Sequence, residues 1–409
     1  MLLALGLLAS TATQLRFAGP VGPGEVLLAF AVCAMLVLLL VGGRVRIATS
    51  VLAFGTFWMT GLAWLAIGWL AGLSLGVSEI EYGRDAVAYL LSAILLVAWA
   101  LLPGQARLTP HLLGMLTAGA IVLVSGLLVA GVLNGGRLGP VEIWYDGLRF
   151  RGWAANPNQM ALLLMPLPFV CVERAVEAKR WGPMTAWSLG ALASVGLGAA
   201  TQSDALRLAW SVGSVAIGVA LWGRARGRPG RSLLSAAVVR VLLPLVVVAG
   251  LSLGGATLAR EAQRFGERRF DEGWKGSDRL ARWGFGLSVM AQAPLTGLGP
   301  GAFAGPTGPL QEEEAHNTPI DWASSTGLPG LLALLCLWLW AGRECLRRRA
   351  LFHGAAILGL FVFSTFHYVM RQPVFWFYLF VLSTSGSPGW NAHRFRLTST
   401  QSKGRLENA

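Results

Sequence analysis

The sequence predicts an all-α protein that crosses a membrane many times. Of its 409 residues, 55% are hydrophobic and only 13% are charged, a composition too apolar for a water-soluble domain. A spanning helix needs about 20 apolar residues, and runs of this kind recur along the whole chain. The longest polar interruption, residues 254–318, comes late. We therefore expect about twelve transmembrane helices, with one large loop containing short helices between the ninth and the tenth.

The predicted helices form a single domain over residues 1–385, into which the large loop is inserted. Pro/Gly turns and short charged segments separate them, including an acidic turn at residues 79–85. Residues 386–409 are polar, and we expect them to be a disordered cytoplasmic tail. The expected helices cover residues 1–13, 25–41, 47–75, 86–102, 111–133, 159–172, 184–200, 205–222, 232–253, 320–341, 351–369 and 374–383.

Basic residues concentrate in alternate connections between these helices. The positive-inside rule then predicts that both termini are cytoplasmic. This orientation places residues 134–158, the turn at 201–204 and the large loop together on the outer face. It also explains the net charge of +13 without nucleic acid as a partner. No basic segment or small-residue cleavage site precedes Gln14, so we expect no cleaved signal peptide. The four cysteines lack the spacing of a metal site.

His316 and Asn317 stand at the end of the large loop, directly before the predicted tenth helix. The unperturbed pKa of histidine lies near neutrality, so a positioned imidazole can exchange a proton at ambient pH. Glu314 is close by, and a carboxylate beside an imidazole raises its pKa and orients the ring. A loop histidine is more often merely solvated. The location at a membrane interface makes His316 a catalytic candidate, with Asn317 and Glu314 as supporting residues.

Arg279, Arg282 and Trp283 lie on a short helix predicted at the other end of the same polar stretch. Arginine always carries its charge and presents two donors to phosphate oxygens. An amphipathic helix resting on anionic headgroups would have the same composition. Both interpretations hold together if the substrate is a lipid-linked phosphate at the membrane surface.

Two further arginine segments are candidate anion sites. Arg149 and Arg151 precede Asn158, which begins the sixth predicted helix. Arginines at a helix N-terminus suit an anion, although a Pro turn with an Asn cap explains the segment equally well. Arg207 lies one turn inside the eighth helix, where a charge is costly and often functional. The alternatives for Arg207 are a pair with Asp204 or an outward-reaching side chain.

Glycines occur at every second position from Gly297 to Gly301. Neither a Lys-Ser/Thr pair nor a strand–helix unit follows, so the segment is neither a Walker loop nor a dinucleotide-binding motif. We expect a tight turn that folds the loop back on itself.

These motifs together resemble the O-antigen ligase and O-antigen polymerase superfamily. The resemblance covers about residues 148–334. It rests on the arginine helix with Trp283, the Pro-Leu-Thr-Gly-Leu-Gly-Pro-Gly segment at 294–301, His316-Asn317 and the glycines at 327 and 330, in that order. The Arg-Gly…Asn-Pro-Asn segment at 151–158 is similar to an upstream motif of the family. One departure stands out: Asp204 follows Ser203 where the family has arginine, and Arg207 is the nearest substitute.

The resemblance implies a metal-independent glycosyltransferase without a cofactor, in the inner membrane of a bacterium. It would transfer a glycan from a polyprenyl-diphosphate carrier at the periplasmic face. The acceptor would be lipid A–core in a ligase or a second lipid-linked glycan in a polymerase. His316 would be the general base, and the diphosphate would bind Arg279, Arg207, Arg151 and Arg282. The sequence does not separate ligase from polymerase, and a transporter of lipid-linked sugars is a further alternative.

Overall fold

The computed structural model describes residues 1–17, 21–42, 48–77, 79–226, 278–304 and 314–385. The predicted ninth helix, the large loop before residue 278, residues 305–313 and the tail lie outside these ranges. The described helices are α1 Leu2–Ala9, α2 Pro23–Gly42, α3 Thr49–Ser74, α4 Glu79–Leu101, α5 Gln105–Leu133, α6 Pro157–Leu164, α7 Leu167–Glu177, α8 Trp181–Ala200, α9 Asp204–Arg226, α10 Asp278–Gln292, α11 Thr318–Arg348, α12 Leu351–Ser364 and α13 Pro373–Thr384.

The all-α membrane class is confirmed. Seven segments of the described chain are long and apolar enough to cross a membrane: α2, α3, most of α4, α5, α6 with α7, most of α9, and α11. Large apolar side chains face outward from the bundle, such as Leu40 and Leu192 at 84% and 70% exposure. A lipid environment satisfies such surfaces, whereas water would not. The number of twelve spans stays a prediction.

Several predicted boundaries were wrong. Helix α5 begins at Gln105 instead of residue 111, α11 continues to Arg348 instead of ending at residue 341, and α12 ends at Ser364 instead of residue 369. The first helix ends at Ala9 instead of Thr13, so its eight described residues reach only about 12 Å. The supposed acidic turn at 79–85 is the first part of α4. The predicted sixth helix is broken between α6 and α7 at Met165 and Pro166. Proline lacks the N–H group that would donate the next backbone hydrogen bond of the helix.

Helix α13 runs through the centre of the bundle. Every residue from Pro373 to Ser383 is buried. Trp376 packs on Phe57 and Trp58 of α3 with ring centroids 5.0 and 4.6 Å apart. Around this centre, α11 packs on α3 and α12 on α9. Aromatic packing of this kind holds the bundle where lipid offers no hydrophobic driving force between helices.

Two short antiparallel hairpins cover the segment between α5 and α6. They pair β1 Arg137–Leu138 with β2 Val141–Glu142, and β3 Trp144–Tyr145 with β4 Arg149–Phe150. The side chain of Gln14 joins them to the end of α1, because its Nε2 donates to the carbonyls of Glu142, Gly152 and Ala154 at 2.8 to 3.0 Å.

The connecting segments gather at two ends of the bundle. At one end, which we call the loop end, Arg149 donates to the carbonyl of Thr201 at 3.2 Å and Thr318 to that of His367 at 2.6 Å. The loop end thus joins residues 10–17, 21–25, 134–158, 201–204, 294–304, 314–317 and 365–372. The opposite end, which we call the basic end, carries Arg107, Arg174, Arg180 and the arginines of residues 343–349. There His353 Nε2 lies 2.6 Å from Glu173 Oε2, and both side chains are buried.

Candidate functional site

A cavity of about 580 Å³ opens at the loop end. Its walls come from the α1–α2 connection, α4, the start of α6, α10, the segment before α11 and the α12–α13 connection. Two glutamates and five arginines line it, so its charge is positive. The charged lining residues are Glu25, Glu314, Arg16, Arg84, Arg279, Arg282 and Arg371.

His316 reaches this cavity from the loop before α11, with its side chain 43% exposed. Its Nδ1 atom lies 3.6 Å from Glu314 Oε2. The backbone of His316 has a φ of 53°, a left-handed conformation that is uncommon outside glycine and is held by surrounding contacts at functional sites.

Asp321 supplies those contacts. Its two carboxylate oxygens accept from the backbone N–H of Ala315 at 2.8 Å and of Asn317 at 3.0 Å, the neighbours of His316 on either side. Asn317 itself caps α11, since its side chain accepts from the Ile320 N–H at 3.2 Å. The predicted supporting role of Asn317 is therefore that of a helix cap.

Glu314 is held in turn by Arg371, from the turn between α12 and α13. The guanidinium of Arg371 binds a Glu314 oxygen through Nη2 and lies 3.0 Å from Asp85 Oδ1 through Nη1. Asp85, on α4, is fully buried and also accepts from Arg84 at 3.0 Å and from the Tyr89 hydroxyl at 3.3 Å. A chain of charges thus runs from the core at Asp85 to His316.

Helix α10 places Arg279 and Arg282 on the cavity. The guanidinium of Arg279 lies 5.6 Å above the ring of Phe366, which is also 6.3 Å from the ring of Trp283. In the described part of the chain, the Arg279 side chain has no carboxylate partner. As a cation in the cavity lining, Arg279 is able to bind an anion there. Trp283 supports the helix and does not line the cavity.

The glycine-rich segment after α10 folds back against α11. The N–H groups of Leu298 and Gly299 donate to the carbonyls of Ser324 and Ser325 at 2.9 Å each. Gly297 has a φ of 67°, and a Cβ on Gly68 of α3 would lie 2.5 Å from Gly299 N. The expectation of a tight turn is confirmed; its role is to fix α10 and α11 relative to each other.

His367 lies on the α12–α13 connection and also lines the cavity. Burial lowers its pKa to about 3, and the positive charges of His316, Arg279 and Arg149 contribute to the shift. The ring is consequently neutral at physiological pH.

Asn158 and Arg149 meet beside the cavity. Arg149 donates from Nη2 to Asn158 Oδ1 at 3.4 Å, and Asn158 lines the cavity while Arg149 does not. Arg149 therefore supports Asn158, and its positive charge reaches His367.

Two of the predicted diphosphate ligands lie away from this cavity. Arg151 donates to the carbonyls of Glu142 at 3.1 Å and Ala155 at 3.3 Å and pairs with the Glu142 carboxylate, which ties the hairpins together. Arg207 is 8% exposed on α9 and its Nη1 lies 3.3 Å from Asp204 Oδ1. The structure thus brings together His316, Arg279, Arg282, Glu314 and Asn158 but leaves Arg151 and Arg207 outside the lining.

Sequence reasoning missed four residues of this arrangement: Arg371, Asp85, Asp321 and His367. For two of them, the sequence contains a feature that could have identified them. Asp321 falls four residues after Asn317 at the start of an apolar run, and Arg371 is a lone charge between two apolar helices. Asp85 and His367 carry no local pattern that distinguishes them from ordinary connecting residues.

Comparison with known families gives one match. Residues 189–335 match the family model described as O-antigen ligase, so this part of the chain is similar to that family and the resemblance seen in the sequence is confirmed. The matched range includes Arg207, Arg279 and His316 but not the segment at 151–158. No curated protein matches the chain.

Proposed function

From the similarity of residues 189–335 to the O-antigen ligase family, we propose that this protein is a metal-independent glycosyltransferase. It transfers a glycan from a polyprenyl-diphosphate carrier to an acceptor hydroxyl at the outer face of a bacterial inner membrane. One observation carries the proposal: His316 and Arg279, the predicted base and the predicted phosphate ligand, line the same cavity.

His316 acts as the general base. Its imidazole takes the proton of the acceptor hydroxyl as the oxygen attacks the anomeric carbon, and the bond from that carbon to the diphosphate oxygen breaks. Glu314, 3.6 Å from Nδ1, orients the ring and stabilises the imidazolium that forms. The charge network through Arg371 keeps Glu314 in place.

Arg279 and Arg282 bind the leaving group. Negative charge grows on the diphosphate oxygen as the glycosidic bond breaks, and fixed positive groups stabilise it most in that state. An arginine pair does for the diphosphate what a divalent cation does in other transferases. Transfer is therefore expected to persist in EDTA.

The acceptor we propose is lipid A–core, which makes the protein a ligase. A polymerase would instead use a second lipid-linked glycan at the same kind of site. The glycan profile of a deletion strain separates the two. Accumulation of long carrier-linked chains identifies a ligase, whereas accumulation of single repeat units identifies a polymerase.

The loop end is proposed to face the periplasm, and the basic end, with the end of α13, the cytoplasm; α1, at about 12 Å, is too short to carry the N-terminus across as well. The concentration of arginine at the basic end supports this orientation. In a variant without native cysteines, Leu148→Cys at the loop end should react with an impermeant thiol reagent in intact cells. Trp181→Cys at the basic end should not. These positions are 71% and 77% exposed, so opposite labelling would overturn the orientation.

His316→Ala tests the chemistry. We expect transfer from a purified carrier-linked glycan to fall about 10²–10⁴-fold, with the amount of protein in the membrane unchanged. His111→Ala, on the exposed start of α5 at the basic end, is the control for the loss of a histidine. Near-normal transfer by His316→Ala would refute the proposal. Flux of lipid-linked glycan across vesicles without transfer would identify a transporter instead.

A further inference from the structure

One wall of the cavity is built from uncharged amide and hydroxyl side chains. Asn156, Asn158 and Gln159 approach it from the start of α6, and Ser10 and Thr11 from the end of α1. This wall, which we call the amide wall, contrasts with the arginines and His316 around the remainder of the cavity.

The side-chain oxygen of each of these three amides accepts a hydrogen bond. Asn156 Oδ1 accepts from the Asn158 N–H at 2.8 Å, Asn158 Oδ1 from Arg149 at 3.4 Å, and Gln159 Oε1 from the Thr13 hydroxyl at 2.6 Å. A backbone N–H and a guanidinium can only donate, so the orientation of the two asparagine amides is fixed. Thr13 Oγ1 is itself an acceptor for the Ala155 N–H at 2.8 Å, which leaves its proton for Gln159.

The NH₂ groups of the three amides remain available as donors. None of these NH₂ groups has a hydrogen-bond acceptor among the described residues. Helix capping accounts for the oxygen of Asn156 but for none of these NH₂ groups. Oriented donors at a cavity wall define positions for oxygen atoms of a ligand.

Ser10 and Thr11 complete the wall with acceptors. Their hydroxyl protons go to the carbonyls of Leu7 at 2.8 Å and Leu8 at 2.7 Å, and Thr11 Oγ1 also accepts from Trp153 Nε1 at 2.8 Å. The acceptors left for a ligand are therefore the remaining oxygen lone pairs, chiefly those of Ser10. A wall that offers both donors and acceptors but no charge matches sugar hydroxyls, which donate and accept. It suits a diphosphate less well. A phosphate group only accepts hydrogen bonds, and the five arginines that line the cavity already offer it charged donors.

We propose that the amide wall is a subsite for an uncharged sugar, the one attached to the diphosphate of the carrier. This inference rests on the proposed function, since it places the sugar beside a diphosphate held by Arg279. Asn158 and Arg279 line the same cavity, which places the two subsites within one enclosure.

Binding of two probes to the purified full-length protein in nanodiscs tests the assignment. The probes are undecaprenyl diphosphate and the same carrier bearing one N-acetylglucosamine. Gln159→Glu keeps the side-chain volume and the acceptor for Thr13 but removes the NH₂ donor; Gln159→Met removes the amide without adding charge. Gln105→Glu is the matched control at the basic end, where Nε2 donates to Thr109 at 2.7 Å.

We expect both Gln159 variants to weaken binding of the sugar-bearing carrier about 3- to 10-fold, the effect of one neutral hydrogen bond. Binding of the bare carrier should not change, and Gln105→Glu should affect neither probe. Arg279→Lys should weaken both probes alike. Equal weakening of the two probes by both Gln159 variants, or no weakening at all, would overturn the sugar subsite while leaving the proposed function intact. Failure of the wild type to bind the bare carrier would overturn the proposed function, and the sugar subsite with it.

Discussion

Arg371 and Asp85 form an ion pair in which Nη1 and Oδ1 are 3.0 Å apart, and it joins the α12–α13 turn to α4. Asp85 is fully buried, and Arg371 also holds Glu314, the residue that faces His316. The position of the proposed base therefore depends on a carboxylate more than two hundred positions earlier in the chain.

This dependence predicts the effect of changing Arg371. Arg371→Gln removes the charge between two carboxylates, so Glu314 loses its support. We expect transfer to fall at least about 10-fold, with little change in KM for the carrier-linked glycan, because a misplaced base mainly lowers kcat. Arg371→Lys should recover only part of the activity, since one ammonium cannot reproduce the planar fork.

Arg137→Gln is the control for that prediction. Arg137 also pairs with a carboxylate, Glu142, but its side chain is 74% exposed on the first hairpin, and exposed pairs contribute little. A large rise in KM with kcat preserved in Arg371→Gln would show instead that Arg371 binds the diphosphate directly.

Asp321→Asn is predicted to release the loop that carries His316. An amide oxygen can replace only one carboxylate oxygen, so either the Ala315 or the Asn317 N–H would face an NH₂ group, at a cost of about 1–3 kcal/mol. We expect transfer to fall about 10²-fold, because small displacements of a catalytic group have effects of that size. Faster proteolysis before residue 317 should accompany the loss. Asp146→Asn, at an exposed hairpin position, should change neither; unaltered transfer in Asp321→Asn would contradict the bracing role.

Arginine geometry is predicted to matter at position 279. Arg279→Lys keeps the charge but loses the fork and the flat contact with Phe366, so most transfer activity should be lost. Arg282 is proposed to bind the same diphosphate, so Arg282→Lys should also lose transfer activity; retained activity would show that Arg282 meets only lipid headgroups. Arg207→Lys decides whether the buried arginine on α9 substitutes for the one missing at position 204, in which case it should behave like Arg279→Lys. Full activity of Arg279→Lys, or a requirement for a divalent ion, would exclude the arginine mechanism.

His367 predicts a dependence of stability on pH. Its pKa falls to about 3 in the folded protein, against about 6.5 for an unperturbed histidine. Between these values the unfolded chain binds a proton that the folded chain does not, so stability is complete above about pH 6.5 and declines as the pH falls towards 3. The unfolding temperature in detergent, followed by tryptophan fluorescence, should drop between pH 7 and pH 5. The drop should be smaller in His367→Gln.

His111→Gln is the comparison for that series, because it removes a histidine from an exposed position. The quantity compared between the variants is the slope of the unfolding temperature against pH. The unfolding temperature itself is not compared. Equal slopes for wild type and His367→Gln would show that His367 does not contribute to acid sensitivity.

Much of the helical layout could be predicted because it depends on local apolar runs. Helix α5 ends at Leu133 and α8 at Ala200 as the sequence predicted, since polar segments interrupt the runs there. The break at Pro166 was missed because a proline in an apolar run is compatible with a kinked but continuous helix. The start of α4 was missed because charged residues at the end of a helix look like a turn when only composition is considered.

The sequence by itself determined which side chains carry the proposed chemistry. His316, Arg279, Arg282, Glu314 and Asn158 were all identified from residue type and local order, because a titratable or charged group in an apolar chain is costly and conspicuous. Only the tertiary structure decided which of the arginines share a cavity with His316. Arg151 and Arg207 have the same chemistry as Arg279, but each pairs with a carboxylate close to it in sequence, Glu142 or Asp204, and neither lines the cavity. Arg371 and Asp85 enter because ion pairs form through space, and their partners lie on elements that meet only after the bundle has folded.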